Sequence, residues 1–169
     1  MATVYLQFEP TAFKLDPTNP PQLVFTAGSN FPVDGLAFDG GSTDEVAFVK
    51  FRATDYGSGN LTLDIDWYAD SASSGNVVWG AQFAAITPDT DSQDVETKAF
   101  ATANTVTDSH LGTTGQRLHR ATITISNLDS LAANDWCILK IYRDASDTGT
   151  DTMTGDAIIT LLTVSYSDT

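Results

Sequence analysis

The residues best placed to do chemistry are two acids in the stretch "LTLDIDWYAD". Asp64 and Asp66 alternate with Leu63 and Ile65, so a strand would carry both carboxylates on one face, their backbones roughly 6.6 to 6.8 Å apart. Inverting glycosidases hold their acid and base about 6.5 to 9.5 Å apart, so the spacing is compatible with glycoside hydrolysis. Neighbouring acids on an exposed strand face have a plainer role, which is to keep a sheet soluble and guard it against other chains. The plainer role is the expectation here, and no catalytic residue is assigned.

Other chemistry-bearing side chains are equally sparse. "DTDSQD" at 89–94 and the loop from Asp144 to Asp156 offer carboxylates to a hard cation, but neither has the regular D-x-D-x-D-G register of a calcium loop. Their acids fit turns, where an Asp side chain accepts from nearby backbone amides. A structural calcium stays open as the alternative. His110 follows "TVTDS" in an expected loop and His119 falls on an expected strand, with no Cys or carboxylate pattern to complete a metal site. Cys137 alternates with Leu139 and Ile141 and reads as a small buried apolar group without a positioned base. No cofactor-binding or metal-ligating residue is therefore expected.

The elements that must position these residues are strands. Val4 to Phe8, Gln22 to Thr26, Val46 to Arg52, Leu61 to Tyr68, Val77 to Ile86, Lys98 to Thr107, Leu118 to Ser126, Trp136 to Arg143 and Ala157 to Tyr166 are rich in β-branched and aromatic residues. Turn clusters at Gly57 to Asn60, Ser71 to Asn76 and Asp144 to Asp156 separate them. Leu61, Leu63, Ile65 and Trp67 point to one side of their strand and Thr62, Asp64, Asp66 and Tyr68 to the other, the signature of an antiparallel sheet with one wet face. The chain is expected to be all-β, an antiparallel β-sandwich, with a jelly roll of about eight strands as the leading version and an immunoglobulin-like sandwich as the other.

Residues 1–45 differ from 46–169, the stretch expected to hold the sandwich proper. Five of the six prolines lie in the first part, interleaved with Phe8, Phe13, Phe25, Phe31 and Phe38. Proline removes a ladder donor, which predicts an extended arm or edge with short strands. The arm packs on its own domain or on a partner. In "WCILKIYRD" both faces carry large apolar groups, so either loops or an identical subunit must cover the second face. Trp67 belongs to the inward series and is expected in the core. Aromatics are enriched at interfaces, and the candidate interface residues are Phe8, Phe13, Phe31, Trp79, Trp136, Ile138 and Tyr142, with Tyr68 as a further aromatic at issue.

Composition excludes some partners. With 22 acidic residues against eight basic ones, the 169-residue chain carries a formal charge of −14, the wrong sign for nucleic acid. No apolar run approaches the roughly 20 residues of a membrane span. The start "MATVYLQFEP" lacks the flank and apolar core of a signal peptide, so synthesis in the cytoplasm is expected, and a single cysteine rules out an intrachain disulfide. On that expectation the sequon at Asn60 to Thr62 has no meaning.

The runs "LTLDIDWYADSASSGNVVWGAQFAAI", "AFATANTVTDSHLGTTGQRLHRATITISNLDSLAANDW" and "IYRDASDTGTDTMTGDAIITLLTVSY" resemble a recurrent β-sandwich domain among structural proteins of tailed bacteriophages, and "NPPQLVFTAGSNFPVDGLAFDGG" follows the same pattern. The shared motifs are structural: W-Y-A then G-x-V-V-W, an A-x-D-W turn and an I-Y-R-D-A strand end. The resemblance implies a non-enzymatic virion protein, a capsid decoration or cement protein that binds the outside of the assembled head. It further implies a homo-oligomer, favoured as a trimer, with the major capsid protein as partner. A head- or tail-fibre module binding host-surface carbohydrate is the alternative.

Overall fold

A computed structural model describes residues 2–71 and 74–168. The elements in chain order are β1 (Thr3–Phe8), a 3-10 turn (Pro10–Ala12), β2 (Lys14–Leu15), β3 (Gln22–Thr26), β4 (Val33–Phe38), β5 (Val46–Arg52), β6 (Leu61–Ala69), β7 (Asn76–Ile86), β8 (Asn104–Ser109), β9 (His119–Ile125), β10 (Trp136–Arg143) and β11 (Ala157–Ser167). They form two antiparallel sheets. One runs β3-β4-β11-β6-β9, with β1 also paired to β11; the other runs β2-β5-β10-β7-β8. The architecture is the expected sandwich of jelly-roll type, with eleven strands among the described residues because β2 and β4 escape the sequence pattern.

Alternation builds the core. Along β6, Leu61, Leu63, Ile65, Trp67 and Ala69 are fully buried, while the residues between them are partly exposed. Burying each such Leu or Ile side chain contributes about 1.5 to 3 kcal/mol. Across the core, Trp67 meets Trp79 edge-on at 6.2 Å, and Trp79 meets Phe38 at 5.4 Å. Phe38 belongs to β4, so residues of the proline-rich first part are woven into both sheets: β1, β3 and β4 in one, β2 in the other. Phe13 is 6% exposed within the same core.

The chain's own segment between β7 and β8 packs on the outer face of the β2-β5-β10-β7-β8 sheet and leaves the outer residues of β10 partly exposed. Phe100 stacks on Phe48 at 6.1 Å, the Ala101 amide donates to the Phe83 carbonyl at 2.9 Å, and Lys98 pairs with Asp129 at 2.8 Å. This corrects the expected strand from Lys98 to Thr107. The ladder starts only at Asn104, because residues 98–103 turn across the sheet.

A buried ion pair ties the loop after β10 to both sheets. Arg143 is fully buried and grips Asp151 with two hydrogen bonds, of 2.9 and 2.7 Å. It also donates to the carbonyls of Phe38, Met153 and Gly155, while Asp151 accepts from the Val78 amide. The guanidinium satisfies five acceptors at once. The turn expected at Ser71 to Asn76 has its centre, Ala72 and Ser73, outside the described residues.

Candidate binding cleft

The candidate site is an apolar cleft of about 500 Å³ on the outer side of the β3-β4-β11-β6-β9 sheet. Its floor is Tyr68 of β6, Thr160 of β11 and Val33 of β4. One wall comes from Thr26 at the end of β3 and from Gly28 and Phe31 in the β3–β4 connection; the other comes from the segment before β9, with Gln116 and Leu118. Phe31 is 69% exposed and Leu118 is 62% exposed, large fractions for side chains of this kind. Gly28 has φ of 61°, and a Cβ there would fall 2.1 Å from the Phe31 carbonyl oxygen, so glycine is needed to turn Phe31 over the face.

Local register explains the floor. On β6, Trp67 faces inward, so its neighbour Tyr68 faces outward. On β11 the register slips between Ile159 and Leu161, and Thr160 at the bulge donates its hydroxyl to the Asp66 carbonyl at 3.2 Å.

The far wall is held by two histidines. His110 and His119 are buried, their rings 4.6 Å apart, and His119 stacks on Trp67 at 4.6 Å. The Gly112 amide donates to Nδ1 of His110 at 2.9 Å, and the Leu111 amide donates to Nε2 of His119 at 3.0 Å. Nε2 of His110 donates in turn to the Gly115 carbonyl at 2.9 Å. Both rings therefore serve as acceptors, which requires neutral imidazoles. Burial, and after it the neighbouring His110, hold His119 below the usual imidazole range, against the opposing pull of Asp108. Gln116 completes the wall by donating to the Asp70 carbonyl at 2.5 Å.

Beside the cleft, Arg120 grips Asp66 with two bonds of 2.6 and 2.8 Å, and Thr122 donates to Asp64 at 2.6 Å. The Arg120 guanidinium is in turn held more firmly protonated by Asp66. Both carboxylate oxygens of Asp66 are thus engaged in a bidentate pair with Arg120. The pair lines a polar strip that continues the cleft floor along β6 and β9.

The residues singled out in the sequence do not converge. Phe31 joins Tyr68 in the cleft. Trp79 is fully buried and Phe13 nearly so, which leaves neither with a surface to offer a partner. Phe8 packs against Phe51 at 6.0 Å. Trp136 and Ile138 flank a depression on the other sheet with Phe48, Val95 and Phe100. Tyr142 lies across Gly80, where a Cβ would meet its ring at 2.2 Å. Sequence reasoning missed Val33, Gln116, Leu118 and Thr160, which no local pattern marks.

The metal candidates are otherwise engaged. Asp91 and Asp94 accept from the amides of Thr87 and Glu96, and Asp151 is neutralised by Arg143. Among the described residues no three His, Cys, Asp or Glu converge as metal ligands. Cys137 is fully buried, and burial foremost pushes its thiol up to about 12. Among the described residues no helix is long and apolar enough to cross a membrane.

No protein-family model matches the chain, and no curated protein matches it in sequence. Solved structures do match in fold. An isomalto-dextranase from Arthrobacter globiformis T6, in complex with panose, superposes with a TM-score of 0.50 at 12% identity, over 98% of this chain but only 23% of the enzyme. A carbohydrate-binding module of family 28, specific for non-crystalline cellulose, gives 0.48 at 8% identity over 91% of this chain and 85% of its own. A family 36 module in complex with calcium and xylotriose gives 0.48 at 13% identity over 93% and 97%. At such identities the likeness speaks to the β-sandwich fold alone.

Proposed function

We propose that the chain is a non-catalytic binding module that takes an uncharged carbohydrate in the Phe31–Tyr68–Leu118 cleft. The observation that carries this reading is the chemistry of the cleft. A pyranose ring has an apolar C–H face and a rim of hydroxyls. Phe31, Tyr68 and Leu118 offer surface to the first; Gln116, Thr26 and Thr160, with the adjoining Asp66–Arg120 strip, offer donors and acceptors to the second. A formal charge of −14 disfavours anionic glycans and leaves neutral ones unopposed. Carried on a bacteriophage head or tail fibre, the alternative setting under the sequence resemblance, such a module would meet carbohydrate on the host surface. The capsid-decoration role, with the major capsid protein as partner, rests on that resemblance alone.

The test is calorimetric titration with a panel of soluble neutral oligosaccharides. At least one binds in the micromolar to millimolar range. Tyr68→Ala and Phe31→Ala each weaken it about tenfold or more, the loss expected when an aromatic anchor worth roughly 1.4 kcal/mol is removed. Tyr142→Ala, on the opposite sheet, leaves binding unchanged. A flat panel with folded protein, or affinity that survives both cleft substitutions, refutes the reading.

A further inference from the structure

The free edge of the cleft-bearing sheet is β3, and its two sides are treated unlike those of any neighbour. Register sets Leu23 opposite the buried Leu36 and Phe25 opposite Asp34, so both point to the core side of the sheet. Yet Leu23 is 37% exposed and Phe25 71%. The opposing sheet ends here in the two-residue β2 and does not reach over them. By contrast β1, which pairs with β11, packs its inward Val4, Leu6 and Phe8 against the core.

Natural sheets blunt a free edge with lysine, proline, a bulge or a covering loop. Within Gln22–Thr26 there is no charge and no proline, and the ladder to β4 runs without a slip. Residues 17–33 contain no Asp, Glu, Lys, Arg or His, in a chain of net charge −14. Pairing along this edge brings no like charges into direct contact, and the repulsion that remains is the longer-range one between two acidic chains. The β8 and β9 edges are stitched together instead, by Asn104 to Ser126 and by Asn127 to the Thr102 carbonyl.

We propose that β3 pairs antiparallel with β3 of a second copy about a two-fold axis normal to the sheet, joining the two sheets into one. With Val24 opposite its mate, Phe25 of each copy lies against Leu23 of the other, an aromatic–aliphatic cross-strand pair formed twice. The edge amides and carbonyls gain ladder partners, and the interface is closed and self-complementary. A normal two-fold keeps both outer faces on the same side, so the two clefts open in one direction. That last consequence rests on the cleft reading, whereas the pairing does not; a ligand long enough to span both clefts would then bind by avidity.

Native mass by light scattering, followed over a concentration series, tests the pairing. The wild type moves from one chain to two as concentration rises, more readily at high salt, where repulsion between acidic copies is screened. Phe25→Lys and Leu23→Lys, both at exposed positions, hold the mass at one chain throughout. A single chain at every concentration and salt overturns the proposal, as does a dimer or trimer that both lysine variants leave intact. Titration of the monomeric Phe25→Lys variant with a short oligosaccharide separates the two readings. Unchanged single-site affinity, together with weaker retention on immobilised polysaccharide, supports paired clefts, and equal retention of both proteins overturns the alignment of the clefts.

Discussion

The histidine clasp makes the stability of the domain depend on pH with a definite sign. His119 is 5% exposed and accepts the Leu111 amide, a role only the neutral ring can fill. Its folded pKa is lowered, by burial first and by His110 second, with Arg117 acting in the same direction through its charge. Asp108, which accepts from the Trp67 indole at 2.8 Å, and the Arg117 backbone pull the other way. A lowered pKa means that the unfolded chain takes the proton first. The stabilisation is therefore complete above about pH 6.5 and is lost as pH falls below it, until the folded ring is forced to charge. Each proton withheld costs about 1.4 kcal/mol per pH unit. Integrated from pH 7.5 to 5.5 across an unfolded pKa of about 6.5, the loss reaches at most about 1.4 kcal/mol. In a chain of this length that lowers Tm by roughly 3 to 5 °C.

The assay compares the wild type with His119→Gln, whose amide oxygen still accepts from Leu111 but does not titrate in this window. Urea midpoints at pH 7.5, 6.5 and 5.5 give the pH dependence of each protein. Glu45 and Asp156, both raised chiefly by burial, act in the opposite sense and gain stability as pH falls, but they contribute equally to both proteins and drop out of the difference. The wild type loses up to about 1.4 kcal/mol more than the variant between pH 7.5 and 5.5. Exchange at the Leu111 amide also rises relative to β6 amides as the ring charges, because the cleft wall it anchors loosens first. Equal pH slopes in the two proteins would refute the argument.

Two further outcomes follow from packing. Arg143→Ala leaves Asp151 buried without a counter-charge and the three carbonyls of Phe38, Met153 and Gly155 unpaired or reorganised, and urea denaturation shows a loss of about 3 to 5 kcal/mol; Arg143→Lys recovers only part of it, since an ammonium cannot reproduce the fork. Gly80→Ala drives a Cβ into the Tyr142 ring and costs about 1 to 3 kcal/mol in thermal unfolding, whereas Gly41→Ala, with nothing within 4 Å of its Cβ, stays within about 0.5 kcal/mol of the wild type.

Strands with strong alternation could be read directly from the residues. The bounds of β3, β5 and β10 match the sequence pattern residue for residue, and β6, β7 and β11 differ by one residue at an end. β4 was not legible because "VDGLAF" interrupts its apolar run with Asp34 and Gly35; it is a strand because β3 and β11 pair with it on either side. The strand expected from Lys98 began too early because Phe100 and Ala101 are apolar for a tertiary reason, the covering of Phe48. The cleft was the least legible feature. Phe31 and Tyr68 stood out as aromatics, but Val33, Gln116, Leu118 and Thr160 are ordinary residues that meet only after both sheets have formed. Burial at His110 and His119 was equally hidden, since their partner is Trp67, far away in the chain.

Core and cleft are set by one register. Trp67 fills the interior and Tyr68 the cleft floor because they are adjacent on a strand of period two; a slip of one residue would exchange them. Trp67 also ties the two faces together in a second way. Its inner edge packs on Trp79, its ring stacks on His119, and its indole N–H reaches Asp108 of the other sheet. The residue that anchors the core thus also fixes the histidine that holds the Gln116–Leu118 wall. Rigidity of that wall matters for a weak ligand, since every side chain ordered on binding subtracts from a small affinity. A cleft whose floor is set by strand register and whose wall is clasped to the core loses little on ordering, which is the condition the weak carbohydrate binding proposed above would need on a strongly acidic domain.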